Sequence, residues 1–65
     1  MSNEPVVRGF HQAIIAIAER KLARALSRKE LAFVTSRAGF IALEAILDTV
    51  KAGTPREVEE YLNSE

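Results

Sequence analysis

Apolar residues recur at helical spacing in three stretches of the chain, with polar capping signals between them. In the first stretch Val7, Phe10, Ile14, Ile17, Ala18, Leu22 and Ala25 share one face when residues are placed about 100° apart. The spacing predicts a helix over 10–26. Pro5 suits a first turn, where its missing N–H would have no partner anyway. Gly9 disfavours helix by about 1 kcal/mol relative to Ala, so residues 1–9 are expected to fray or lie extended.

A new start is expected at Ser27. Ser27-Arg28-Lys29-Glu30 has the form of a capping box, in which the hydroxyl accepts from the amide three residues on and the carboxylate accepts from the Ser27 amide. The alternative is a continuous helix through both stretches, since neither Gly nor Pro enforces a break there. The second helix is expected over 28–52. Leu31, Val34, Ala38, Ile41, Ala42 and Ala45 line one of its faces, and Phe33, Phe40, Leu43, Leu47 and Val50 line another. Only a narrow polar strip of Glu30, Arg37, Glu44, Asp48 and Lys51 separates them. A surface helix needs one apolar stripe roughly 100° wide, and one short partner helix covers one face. The second face therefore predicts a homo-oligomer, with Phe33, Phe40, Leu43, Leu47 and Val50 at the interface. Small residues Ser36, Ala38, Gly39, Ala42 and Ala45 would let another helix approach closely.

The clearest boundary is the last. Gly53 suits a helix end, and Thr54-Pro55-Arg56-Glu57 supplies an N-cap, a Pro at the first helical position and a Glu at the third. A short third helix over 55–63 follows, with Val58, Tyr61 and Leu62 on its apolar edge. The expected fold class is all-α: one domain over 1–65, a helical hairpin plus a short C-terminal helix, paired with a second copy into a dimeric helical bundle.

Composition reinforces the oligomer expectation. Apolar residues make up 48% of the chain, but ten of them are Ala, and there are only three Phe, one Tyr and no Trp. A chain of this length buries only about 60% of the surface that it exposes when unfolded, and such thin cores usually have a disulfide, a metal or a partner. Cys is absent and His11 is the sole His, which excludes disulfides and multi-His metal sites within one chain. No cofactor is expected. The longest apolar run, Ala13 to Ala18, falls far short of the roughly 20 residues that span a bilayer. No basic leader is seen, and a soluble, cytoplasmic protein is expected.

The zero net charge hides an asymmetry, with basic residues dominating up to residue 40 and acidic ones thereafter. Arg20, Lys21, Arg24, Arg28 and Lys29 cluster around the expected hairpin tip and are the candidate polyanion-binding residues. Arg20, Lys21 and Arg24 also suit the C-terminal end of a helix dipole. Arg28 and Lys29 open the next helix, where the dipole opposes them. A break at Gly39 would give helices 28–35 and 40–51 a helix-turn-helix spacing. The second of these, Phe40-Ile41-Ala42-Leu43-Glu44-Ala45-Ile46-Leu47-Asp48, is apolar and acidic, and offers no Arg or Asn to base edges. A ribbon-helix-helix would need Pro5 to Phe10 as a strand, with Arg8 its only long polar reader.

No catalytic motif occurs. His11 lies towards the apolar face and lacks a partner in sequence. Glu57, Glu59 and Glu60 suit the start of a helix and match no Ca²⁺ loop. The residues thus point to a non-enzymatic regulatory or adaptor module acting through protein–protein interaction, with itself as the first partner. Nucleic-acid binding at the basic tip is the alternative.

Overall fold

The computed structural model describes residues 4–64, and capping signals mark where two of the helices, at Ser27 and Thr54, begin. There are four: α1 Glu4–Leu22, α2 Arg28–Thr35, α3 Phe40–Ala52 and α4 Pro55–Leu62. No strand occurs among the described residues. Both expected capping boxes form. Ser27 Oγ accepts from the Glu30 amide at 3.2 Å while Glu30 Oε1 accepts from the Ser27 amide at 2.8 Å. Thr54 and Glu57 repeat the exchange at 3.2 and 2.8 Å.

The structure departs from the expected boundaries in three places, one being the end of the first helix, which falls at Leu22 and not at the expected Leu26 because Ala23 turns left-handed. Helix α1 already runs from Glu4 and passes straight through Gly9, so described residues 4–9 neither fray nor extend. Residues 1–3 lie outside the described part. More consequentially, the helix expected over 28–52 is two helices. Helix α2 ends with Ser36 as its C-cap, still at helical φ −75°, ψ −13°, and Gly39 is extended at φ −75°, ψ 136° before α3 begins. At the end of α2, Thr35 Oγ1 donates to the Leu31 carbonyl at 2.8 Å and Ser36 Oγ to the Phe33 carbonyl at 3.1 Å. The first bond is compatible with helix, since Thr49 makes the same one to Ala45 within α3. The Arg37 carbonyl, which a continuous helix would use internally, accepts from His11 Nε2 at 2.6 Å.

The break resolves the difficulty of the two apolar faces. A straight helix aims them apart, whereas two shorter helices aim parts of both at one core. That core comprises Ile14, Ala18, Leu26, Phe33, Val34, Leu43, Ile46, Val50, Val58 and Leu62. Phe10, Ile17, Leu47 and Tyr61 are among the partly buried side chains packed against it. Helix α1 makes the most extensive contact, chiefly with α3 and then with α4 and α2. Phe10 lies beside Phe40 with ring centroids 6.2 Å apart, and Lys21 Nζ donates to the carbonyls of Lys51 and Gly53 at the other end. Helices α1 and α3 therefore run parallel, with α2 as the crossover.

This arrangement changes which face of the second apolar stretch one chain covers: Leu43 and Val50 are buried, while Ile41 is open. The accessible surface is 4385 Å², close to the roughly 4,100 Å² that a compact monomer of this mass exposes. The buried core is assembled from the four helices of one chain.

Two backbone positions explain residue choices. Gly53 ends α3 in extended geometry, where an added Cβ would sit 3.0 Å from the Thr49 carbonyl oxygen and 3.4 Å from Val58 Cγ2. A side chain there would be crowded by the Thr49 carbonyl, which would have to give by a few tenths of an ångström. Ala23, which ends α1, has φ 57°, the left-handed conformation that glycine usually supplies at a helix end. Ala23→Gly should stabilise the fold by about 0.5–1 kcal/mol, read as a melting temperature higher by roughly 4 °C. A lower melting temperature would mean that the strain lies elsewhere.

Candidate interaction surfaces

The residues expected at an oligomer interface divide into two groups. Leu43 and Val50 are fully buried inside the chain and Phe33 nearly so, which corrects their expected role as an open face. Leu47 is half-buried against the core. Of that set Phe40 alone is open, at 42% exposure. The other face takes the opposite role. Val34 enters the core, but Ala38, Ile41, Ala42 and Ala45 all lie on the surface, with Ile41 86% exposed. The small residues singled out for close helix approach, Ser36, Ala38, Gly39, Ala42 and Ala45, are likewise exposed.

Around the start of α3 this produces an apolar surface. Phe40 rests against Phe10. One turn before Phe10 on the same side of α1 stands Val6, at 52% exposure. Gly39 caps α3 without a side-chain hydrogen bond, unlike Ser27 on α2 and Thr54 on α4. Sequence reasoning missed Ile41 and Val6 as surface residues, because helical periodicity assigns a residue to a face and does not say which face the fold will cover.

The basic cluster is partly consumed. Lys21 caps the C-terminal end of α3, a placement that the helix dipole favours. Arg24 grips the Glu30 carboxylate in bidentate fashion at 2.8 and 2.9 Å and reaches Glu59 at 3.0 Å. Glu30 is the hub of this end of the molecule. It is 1% exposed and accepts in addition from Asn63 Nδ2 at 2.7 Å. The Arg24 guanidinium, ahead of the backbone and Asn63 bonds, holds the Glu30 carboxyl well below the usual carboxylate range against the opposing pull of burial. The same pair raises Arg24. The Thr54 amide and hydroxyl lower Glu57 from its ordinary value. Arg20, Arg28 and Lys29 remain exposed, and among the described residues no ion pair engages them. The sequence marked Glu30 as half of a capping box. Its ties to Arg24 and Asn63 depend on how α1 ends and where α4 returns.

His11 is half-buried. Because the Arg37 carbonyl can only accept, Nε2 carries the proton in their 2.6 Å contact. The ring pins the turn between α2 and α3 to α1. Among the described residues no group of three His, Cys, Asp or Glu could hold a metal ion, and no helix is long and apolar enough to cross a membrane. Comparison of the chain with known protein families, with curated proteins and with solved structures found no match.

Proposed function

We propose that the chain is a non-enzymatic helical module that acts through protein–protein interaction, and that it pairs reversibly with a second copy through the outer surface at the start of α3. The observation that carries this reading is the exposure of Ile41 at 86%, beside Phe40 at 42%. Ala42 and Ala45 follow on the open side of the helix and leave room for a second helix to approach. Val6 extends the apolar area onto α1. Large apolar side chains grouped on a surface mark interaction sites more often than scattered ones do. The closed core makes the pairing reversible, since each copy is complete by itself.

Nucleic-acid binding is the weaker reading. Two of the five clustered cations are held in intrachain contacts, and the exposed side of α3 carries Glu44 and Asp48, which repel phosphate.

Dilution separates pairing from a solitary chain. Amide signals of residues 38–45 should move with protein concentration between about 10 μM and 1 mM, the range in which weak association is populated. Ile41→Glu should abolish that movement and leave the helical signal intact, because the side chain is solvated in the single chain. Movement that persists in this variant would place the contact elsewhere.

A further inference from the structure

We infer that the turn between α2 and α3 is a hinge through which two copies of the chain exchange their C-terminal halves, α2 and α3 joining into one continuous helix. The packing of the helices suits such an exchange. Helix α1 packs chiefly on α3 and α4, and α2 on α4, whereas α2 makes little contact with α3 and α3 little with α4. The contacts that hold α3 and α4 in place therefore come from the α1–α2 half. That half can belong to the same chain or to a second copy. The second source keeps the edge-on contact of Phe33 with Tyr61 at 5.2 Å and the Lys21 bonds to the end of α3. Exchange of this kind needs only a short hinge with a second accessible conformation.

The hinge is short and close to helical already. Ser36 retains helical dihedrals, so the bend is confined to residues 37–39, which include no proline. Helix α3 starts at Gly39 without a side-chain cap, and its first backbone bond runs from the Leu43 amide to the Gly39 carbonyl. The amides of Phe40, Ile41 and Ala42 are thus left outside the helical ladder. Straightening supplies them with the carbonyls of Ser36, Arg37 and Ala38. Two features hold the bend. His11 Nε2 donates to the Arg37 carbonyl, the group that the Ile41 amide would take in a straight helix. Gly39 disfavours helix, and the bent form does not otherwise require glycine, since φ is −75° and an added Cβ would meet nothing within 4 Å. Gly39 accordingly guards the single-chain form. A chain that straightens alone pulls α3 and α4 off α1 and exposes the core, so only a second copy completes the straight form.

Exchange requires the halves to separate, which refolding from denaturant allows. Full-length chains refolded at about 1 mM should yield a dimer that survives dilution to about 10 μM and passage through a sizing column, while chains refolded at the lower concentration stay single. The surface pair through Ile41 dissociates on dilution, so the two associations are read separately. In a dimer refolded from an equal mixture of isotope-labelled and unlabelled chains, filtered spectra should show Phe33–Tyr61 ring contacts between copies. Gly39→Ala should raise the association constant by about tenfold or more, since each dimer contains two straightened hinges. Gly39→Pro keeps the bent φ and forbids the straight helix, and should refold to a helical monomer even at the higher concentration. Absence of a dilution-resistant dimer from both the wild type and Gly39→Ala would overturn the hinge. So would a dilution-resistant dimer whose Phe33–Tyr61 contacts all lie within one copy, or one that Gly39→Pro forms as readily as the wild type.

Discussion

The Leu43→Ala protein is expected to melt roughly 12–24 °C below the wild type, and by the same margin at every protein concentration. Leu43 is fully buried among core residues of the same chain. Truncation removes its burial and leaves a cavity, together about 3 kcal/mol, and each kcal/mol moves a domain of this size by about 4–8 °C. A chain this short has only about 3–10 kcal/mol in all, so the loss is a third or more of the total. Independence from concentration is the diagnostic part. If Leu43 lay in an interface between copies, the loss would shrink on dilution, because the wild-type dimer would dissociate as well. A small, concentration-dependent effect would return Leu43 to the interface and contradict the closed core.

The second large effect is expected at Glu30. Glu30→Ala strips a carboxylate from the Ser27 amide, the Arg24 guanidinium and Asn63 at once. Hydrogen bonds to a charged acceptor contribute more than neutral ones, and the lost set should destabilise by about 2 kcal/mol or more, about 8–16 °C in melting temperature. The variant also predicts a change in acid sensitivity. The folded state holds this carboxyl well below its ordinary value of 4.5, whereas the unfolded chain does not. The contribution is therefore fully present above that ordinary value and drains away as pH falls towards the lower folded-state value. Wild-type stability should decline through this acid window more steeply than that of Glu30→Ala. Parallel pH curves for the two proteins would mean that the ion pair adds nothing to stability.

The local signals were legible where a single short stretch determines the outcome. Both capping boxes, the Pro55 start and the apolar edge of Val58, Tyr61 and Leu62 depend on residues within a few positions of one another, and all appear in the structure. The break between Thr35 and Phe40 was less legible. Ser36, Arg37, Ala38 and Gly39 permit a turn but do not enforce one, and helix propensity alone leaves α2 and α3 joined. What favours the turn is tertiary: Phe33 and Val34 reach the same core as Leu43, Ile46 and Val50 only if the helix bends. Because the bend reverses which side of α3 is covered, the interface residues inferred from a straight helix were mostly core, and the exposed residue of consequence was Ile41. The partners of the basic cluster were not legible for a similar reason. Charges adjacent in sequence suggest a shared ligand, but Lys21 is directed to the end of α3 and Arg24 to Glu30 and Glu59. Those assignments require knowing where three other helices end.

Sedimentation equilibrium of the wild type and of Ile41→Glu, run side by side from about 10 μM to 1 mM, tests the proposed pairing most directly, since reversible contacts of this size fall in that affinity range. The wild type should move from monomer mass towards dimer mass across the series, and Ile41→Glu should remain a folded monomer throughout. A wild type that stays monomeric at the highest concentration would contradict self-association through this surface, as would a variant that associates just as well.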